Sequence, residues 1–388
     1  MYCEREIAYT TQHYKRIDMK IGIVTFWWSQ DNYGQLLQCY ALQKYLRNAG
    51  HDAYLIRYDP RGDYIKTPIW RKILKAFNPV KLSKYLLNRK RMFDDVHEKI
   101  NNPRKFDEFR NKYIKQSERI YHSYNELVDN PPEADMYITG SDQVWNTFGV
   151  PIERAINVIK AYLLDFGNSS IKRFAYAASF GKDELDKASM EIFMPLLKKF
   201  DYISVREKSG LNICKQCGID NVEWVPDPTM LLDADIYREL YKDETIRRPD
   251  RPYCFFYHLG NECDFSIQSV YDWAEKKNFK VLYIAGNAMH DKYTKMYPTI
   301  PEWIYLLEHS EYVLTNSYHC FVFSLMLRKK FAIIPLSGKD KSMNNRFDSL
   351  FQLFNIEERY INSDFSIIDK EIDWQSVSVV FQNIKFNV

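Results

Sequence analysis

The segment 315–320 contains the side chain best suited to proton transfer. It follows a short apolar run and reads Thr, Asn, Ser, Tyr, His, Cys. His319 can give or take a proton near neutral pH. A helix that begins here would present free backbone amides to an anion. The segment therefore predicts a catalytic His319 beside a bound anion; the alternative is an imidazole that only caps the helix.

A second segment places an arginine where another predicted strand ends. Arg206 follows the apolar run 202–205 and precedes Glu207. A guanidinium forms two parallel hydrogen bonds with a phosphate or carboxylate, a geometry that lysine does not match. We predict that Arg206 holds an anion at the mouth of a cleft. The alternative is a surface ion pair with Glu207.

Two further segments could bind a sugar. The loop 29–35 precedes a helix whose free amides attract an anion or a sugar hydroxyl, and the segment 139–146 combines hydrogen-bonding side chains with the ring of Trp145. That combination suits a sugar, because its C–H faces stack on rings while its hydroxyls pair with polar groups. The alternative for the second segment is a helix cap at Ser141 or Asp142, with Trp145 in the core. The candidate sugar-binding residues are Asp31, Asn32, Tyr33, Gln35, Ser141, Trp145 and Asn146.

Two other features are expected to be structural. Asp227 lies between two prolines that stiffen a turn near the predicted domain boundary. The seven cysteines are scattered, and Cys214 and Cys217 form a lone C-x-x-C without the second ligand pair that zinc requires. We therefore expect reduced thiols and no metal site.

The elements that must position these segments are short apolar strands that alternate with helical patterns. Such alternation predicts parallel sheets covered by helices on both faces. A polar, proline-containing stretch around 243–252 separates two halves with the same pattern. We predict an extension at 1–18 and two Rossmann-like, doubly wound α/β domains, at 19–245 and 246–388. Ligands bind beyond the carboxyl ends of such strands, so the polar segments should meet in an interdomain cleft.

Composition excludes several classes of protein. Of the 388 residues, 46% are hydrophobic and 27% are charged, values typical of a globular chain rather than a disordered one. The net charge of +3 does not favour a nucleic-acid partner. No apolar run is long enough to span a membrane, and the N-terminus lacks the apolar core of a signal peptide. These features predict a cytoplasmic protein.

One region departs from this balanced charge. Between Lys66 and Arg91, nine lysines and arginines are interleaved with apolar residues, and no acidic residue is present. A basic amphipathic stretch of this kind suits an anionic membrane surface. The alternative is a solvated helical excursion whose apolar face packs on the first domain.

In their order and spacing, these segments resemble the polysaccharide pyruvyltransferase family. The resemblance runs from residue 19 to about residue 359. Cys320 departs from it, since the family commonly has glycine after the histidine. The matching segments are the Asn-Tyr-Gly loop in 23–38, Gly-Ser-Asp-Gln-Val-Trp-Asn in 138–146, Ser-Val-Arg-Glu in 203–210, the Asp-Pro-Thr segment in 226–232, the Tyr-His segment in 315–324, and the late residues Asn345, Arg346 and Asp348.

The resemblance implies a GT-B-like fold and a pyruvyltransferase. Phosphoenolpyruvate would be the co-substrate, with no cofactor, and a cyclic pyruvate ketal would form on a sugar, such as galactose or a related hexose. The acceptor would be a surface polysaccharide or its lipid-linked precursor. His319 would protonate or polarise the donor, Arg206 would hold its carboxylate or phosphate, and Asp142 or Asp31 would serve as base. The implied donor-binding residues are Asn316, Ser317, Tyr318, Asn345 and Arg346.

Two other functions remain open at this point. One is a GT-B glycosyltransferase that uses a nucleotide sugar. The other is a non-catalytic glycan-binding protein in a capsule assembly complex. Turnover of phosphoenolpyruvate would distinguish the first prediction from both.

Overall fold

The computed structural model describes residues 18–64, 90, 94, 96–98, 100–260, 265–286, 291–338, 344–361 and 364–386. Of the predicted extension, only Asp18 falls within these ranges, and of the basic stretch only Lys90. The predictions for both regions therefore lie outside the described residues.

The first half of the chain forms a seven-stranded parallel sheet. Its order is β3-β2-β1-β4-β5-β6-β7, which contains the order of the Rossmann fold with one strand added at the edge. The strands are β1 Lys20–Val24, β2 Asp52–Tyr58, β3 Gln116–Tyr121, β4 Met136–Thr139, β5 Lys172–Ala178, β6 Tyr202–Val205 and β7 Glu223–Trp224. The helices are α1 Tyr33–Asn48, α2 Phe106–Tyr113, α3 Tyr124–Asp129, α4 Ile152–Tyr162, α5 Lys187–Leu197 and α6 Lys208–Gln216, and then α7 Ala234–Arg238 leads towards the second half.

The second half forms a four-stranded parallel sheet in the order β11-β10-β8-β9. Its chain crosses from β9 past β8 to β10, so it is also doubly wound. The strands are β8 Tyr253–Tyr257, β9 Lys280–Ile284, β10 Tyr312–Thr315 and β11 Lys330–Ile333. The helices are α8 Ile267–Lys276, α9 Ile300–Glu308, α10 Tyr318–Met326, α11 Asn345–Leu353 and α12 Trp374–Asn383.

The predicted fold class is confirmed: the chain is α/β, with two Rossmann-like units in a GT-B-like arrangement. Buried strands such as β4 and β6 have the bounds that their apolar runs predict. The edge strand β3 has no such run. It reads Gln-Ser-Glu-Arg-Ile-Tyr, and only its last residue is buried, because an edge strand that faces solvent needs no apolar face.

The two units share a hydrophobic core at their interface. Tyr33, at the start of α1, stacks on Trp303 of α9 with ring centroids 5.4 Å apart, and the Tyr33 hydroxyl donates a 2.7 Å hydrogen bond to the Pro298 carbonyl. The chain then returns to the first unit, where Phe386 packs 4.4 Å from the Tyr176 ring. The end of the sequence thus helps to close the first unit's core.

No helix within the described ranges is long and apolar enough to cross a membrane.

Candidate functional site

The site is built around Asp227, whose side chain is fully buried after β7. One carboxylate oxygen, Oδ1, accepts hydrogen bonds from the Thr229 backbone amide at 3.0 Å and from its hydroxyl at 2.8 Å. The other, Oδ2, accepts a 2.8 Å hydrogen bond from the Ser141 hydroxyl. Oδ2 also lies 3.5 Å from Arg206 Nη1 and 3.3 Å from His319 Nε2. One oxygen therefore faces an arginine and a histidine that reach it from different units.

Burial on its own would raise the pKa of Asp227. The charges of His319 and Arg206, with the Thr229 amide bond, outweigh burial and hold the pKa below its usual range. Asp227 is therefore a carboxylate at any pH near neutrality. It supplies a fixed negative charge at the back of the site.

Arg206 lies directly after β6 with only 3% of its surface exposed. Its Nε donates to Glu207 Oε1 at 3.0 Å, and that oxygen also accepts from the Ser179 hydroxyl at 2.8 Å. The guanidinium carbon lies 4.9 Å from the centre of the Tyr318 ring. Burial would lower the pKa of Arg206, but the neighbouring carboxylates of Glu207, Asp142 and Asp227 raise it overall. The expected position at the cleft mouth is wrong: Arg206 is buried, and its pair with Glu207 is not a surface pair.

His319 is in the first turn of α10, in the second unit, and reaches into the first. Its Nε2 is fully buried and lies within ion-pair distance of Asp227, although without the alignment of a hydrogen bond to any described residue. The opposite edge of the ring rests against Gly34 in the first turn of α1. The imidazole therefore lies at the interface between the units, where the prediction requires it to be.

A small pocket opens beside this cluster and is shared by both units. The enclosed space is only about 20 Å³, so a ligand larger than a water molecule would lie mostly at its open mouth. Asn345 of α11 closes one side by donating a 3.0 Å hydrogen bond to Asp183. The lining residues are Gln143, Gly181, Lys182, Asp183, Glu207, Ser209, Asn345 and Arg346.

Arg346 gives this pocket the character of an anion site. The side chain is half-buried, and its Nε atom is buried without a hydrogen-bond partner among the described residues. Burial, and then the positive charge of Arg206, lower the pKa of Arg346 to about 10. Two guanidinium groups close enough to repel each other would both be stabilised by an anion bound between them.

Asp142 lies at the turn between β4 and this pocket with a left-handed backbone, φ 76°. Residues other than glycine rarely adopt this conformation, and such strain concentrates at functional sites. Its Oδ1 accepts a 2.9 Å hydrogen bond from the Gln143 amide, and its charge acts on both Arg206 and Arg346. A role as base stays a prediction.

Three of the predicted contacts with the acceptor sugar are wrong, because the side chains concerned are fully buried. Trp145 packs 4.9 Å from Phe180, and its ring nitrogen donates to the Tyr162 carbonyl at 3.2 Å. Tyr33 lies in the shared core, and Ser141 donates to Asp227. None of the three presents a surface to a sugar.

The other predicted acceptor residues are partly used to hold their own loops. Asn32 caps α1 by accepting from the Gln35 amide at 3.3 Å, and the Gln35 side chain accepts from the Ser29 amide at 2.8 Å. Asn146 donates to Gln143 at 2.9 Å. Asp31 accepts a 3.0 Å hydrogen bond from the Ser29 hydroxyl. Contacts of these residues with an acceptor stay predictions.

The segment before His319 is also engaged within the protein. Asn316 donates to the Leu259 carbonyl at 2.8 Å, and Ser317 caps α10 by accepting from the Cys320 amide at 3.4 Å. Tyr318 is buried, and its ring covers Arg206. Direct donor contacts of these three side chains stay predictions. Cys320 is buried in the core, so its thiol does not narrow the site.

Sequence reasoning missed two residues of the site. Asp227 was expected to be structural, yet it contacts both Arg206 and His319. The signal for it was weak, since an Asp between prolines is typical of an ordinary turn. Gly34 lies against His319 although 285 residues separate them in sequence. Only the packing of the two units reveals this contact.

Three solved structures illustrate what the fold is similar to. The UDP-GlcNAc 2-epimerase from Methanocaldococcus jannaschii is 10% identical, with 94% of this chain and 92% of that chain covered and a TM-score of 0.44. The UDP-GlcNAc 2-epimerase from Neisseria meningitidis is 11% identical, with coverage of 94% and 99% and a TM-score of 0.45. The calicheamicin glycosyltransferase is 12% identical, with coverage of 95% and 94% and a TM-score of 0.37. We assign no function from these likenesses.

Sequence comparison gives a more specific result. No curated protein matches the chain. The family model described as polysaccharide pyruvyl transferase matches residues 32–338, a range that contains Gly34, Arg206, Asp227 and His319. The chain therefore belongs to the polysaccharide pyruvyl transferase family.

Proposed function

We propose that the protein transfers the enolpyruvyl unit of phosphoenolpyruvate to a sugar and closes it into a cyclic ketal. Family membership implies a transferase with a polysaccharide acceptor. The observation that supports the finer reaction is the junction of His319, paired with a buried carboxylate, and a pocket that contains Arg346 beside Arg206. The proposed proton donor and the proposed anion site are linked through Asp227, Arg206 and Glu207.

The donor matches the charge of the pocket. Phosphoenolpyruvate carries a phosphate and a carboxylate on the same carbon, C2, so it needs several hydrogen-bond donors of positive charge. Arg346 has an unused Nε among the described residues, and Lys182 lines the same pocket. Arg206 already pairs with the carboxylates of Glu207 and Asp227. We therefore expect it to contribute mainly through its charge and by fixing the position of Asp227.

His319 supplies the proton that starts the reaction. Transfer of this proton to the methylene carbon makes the neighbouring C2 atom electrophilic, and a sugar hydroxyl then forms a C–O bond to it. A base takes the proton of that hydroxyl and passes it to His319, which becomes an imidazolium again. A second hydroxyl forms the other C–O bond, the bond from C2 to the phosphate oxygen breaks, and phosphate leaves with the second hydroxyl proton. Asp227 stabilises the imidazolium before the first proton transfer and after the ring is reprotonated.

We expect the acceptor sugar to be galactose or a related hexose in a surface polysaccharide or its lipid-linked precursor. The first unit is the acceptor side, and the half-buried Asp142 is the candidate base. Because Trp145 and Tyr33 are buried, the sugar must bind through residues other than these two rings. We expect no metal or organic cofactor.

Phosphate release tests the proposal. The purified protein is incubated with phosphoenolpyruvate and a panel of galactosyl and mannosyl acceptors, and the product mass is measured. The expected result is acceptor-dependent phosphate release with a product heavier by one ketal-linked pyruvate. Turnover of a UDP- or CDP-sugar with no phosphoenolpyruvate-dependent product would support the glycosyltransferase alternative. Binding of glycan without turnover of either donor would support the non-catalytic alternative.

A peripheral position at the inner face of the cytoplasmic membrane is part of this proposal. It depends on the basic stretch 66–91 and on a lipid-linked acceptor. Co-sedimentation with anionic liposomes should be strong at low salt and weak at high salt, because exposed charges are screened. Equal recovery with neutral liposomes would contradict it.

A further inference from the structure

Gly34, in the first turn of α1, lies against the imidazole of His319. A β-carbon built on Gly34 would lie 2.1 Å from His319 Nδ1, 2.4 Å from Cγ and 2.8 Å from Cβ. Real β-carbons do not approach other atoms this closely. No other residue type therefore fits at position 34 while the ring keeps its place.

The backbone gives no other reason for a glycine. Gly34 is the second residue of a sixteen-residue helix and has no left-handed φ. Glycine is less favourable than alanine within a helix, because it has more conformational freedom to lose. The glycine thus weakens α1 locally, and space for the imidazole is the compensating gain.

The start of α1 is fixed against the second unit, so it cannot retreat from a larger side chain. Tyr33, the preceding residue, is fully buried. Its hydroxyl donates to the Pro298 carbonyl at 2.7 Å, and its ring stacks on Trp303. A methyl group at position 34 must therefore displace His319 rather than the helix.

We propose that Gly34 is a positioning residue that sets the imidazole of His319 against Asp227. Both groups that fix the ring come from the first unit, whereas His319 comes from the second. Contact between the units therefore completes the site. This inference rests on the proposed function for its effect on turnover, but its structural part can be tested without any substrate.

The test is a double-mutant cycle with Gly34→Ala, His319→Ala and the double variant, measured by urea unfolding. With His319 present, Gly34→Ala should lower the denaturation midpoint. In the His319→Ala background the clash is absent, so Gly34→Ala should leave the midpoint unchanged or raise it. Gly22→Ala is the matched control, since a β-carbon there would lie 2.7 Å from the Ile56 side chain in a core remote from His319. Its effect should be the same in both backgrounds.

Turnover provides the second readout. Gly34→Ala should lower kcat for phosphate release by at least roughly 100-fold, the scale of a displaced acid–base group. The Michaelis constant for phosphoenolpyruvate should change by less than about threefold, because the residues of the anion pocket are untouched. The kcat of folded Gly22→Ala should match the parent.

The outcomes separate the two proposals. Equal effects of Gly34→Ala in both backgrounds, or unchanged kcat, would overturn the positioning role. The double-mutant cycle could show coupling in unfolding while the parent protein never turns over phosphoenolpyruvate. That result would keep the positioning role and reject the proposed function. If the Gly34→Ala variant does not fold but the double variant does, that difference would show the same coupling between positions 34 and 319. Failure of both to fold would overturn the inference.

Discussion

The segment after β4 and the cluster around Asp227 contain the same kinds of residue, yet they use them differently. The ring nitrogen of Trp145 donates a hydrogen bond to the Tyr162 carbonyl, and the side-chain amide of Asn146 donates one to Gln143. By contrast, His319 Nε2 in the cluster and Arg346 Nε in the adjoining pocket are buried without a hydrogen-bond partner among the residues that the structure describes. Unsatisfied buried groups are costly, and a bound ligand, ion or water is one explanation for them. Unused hydrogen-bonding capacity, rather than residue type, separates the two regions.

The two regions also differ in charge. The buried cluster sets Arg206 and His319 against one fully buried carboxylate, Asp227. Such a group is held together by charge and is most sensitive to the loss of its buried carboxylate. The segment after β4 is held together mainly by packing. Substitutions should therefore fail in different ways in the two regions.

The largest expected effect follows from His319→Ala. Removal of the proposed acid should lower kcat for phosphate release by roughly 10²- to 10⁴-fold, the usual contribution of a positioned acid–base group. The fold should survive, because Asp227 keeps the hydrogen bonds from Ser141 and Thr229. Acceptor-dependent phosphate release and circular dichroism would measure the two effects. A variant with near-parental kcat would exclude His319 as the acid.

Asp227→Asn should cost stability as well as activity. Loss of one partner of a buried ionic cluster typically costs about 3–5 kcal/mol, because the remaining charges are left uncompensated. Urea unfolding at neutral pH measures this change. Replacement of Thr229 by Ser is the matched control, since it keeps a hydroxyl and an amide for Asp227 and should change stability far less.

The same variant should change the response to acid. The pKa of Asp227 is lower in the folded protein than its ordinary value of 3.8. The ionised carboxylate therefore stabilises the native state fully above about pH 4, and this stabilisation is lost as the pH falls further towards the folded value. In Asp227→Asn, unfolding free energy should depend less steeply on pH below about 4. An identical acid dependence would contradict a central role for this carboxylate.

Much of the fold could be predicted from the sequence, because buried parallel strands such as β4 and β10 carry continuous apolar runs. The placement of His319 and Arg206 at strand ends followed from the same rule. What could not be predicted is which polar side chains are consumed by internal bonds. Ser141 and Trp145 have suitable chemistry for a sugar, but burial is a property of the packed units. Asp227 and Gly34 join the site only through contacts distant in sequence.

Trp145 tests the other side of the comparison. Trp145→Ala should destabilise the protein by about 3–5 kcal/mol, as large-to-small substitutions in a core do. Trp145→Phe keeps most of the ring and should leave the Michaelis constant for the acceptor within about twofold of the parent, since the ring is buried. Urea unfolding and acceptor titrations would separate the effects. A large rise in that constant for folded Trp145→Phe would restore the sugar contact that the structure contradicts.

The smallest effect should come from Arg346→Met, and it should fall on binding alone. One charge-assisted hydrogen bond contributes about 1.5–3 kcal/mol, so half-saturation by phosphoenolpyruvate should need roughly 10- to 100-fold more ligand. Stability should hold or rise, because the guanidinium is desolvated and repelled by Arg206. Arg328→Met is a suitable control, because Arg328 is exposed and bonds Ser378 at 2.9 Å, outside the set of residues that lines the pocket. A large loss of stability with unchanged binding would make Arg346 a structural residue, and the unused Nε would then no longer mark the anion site.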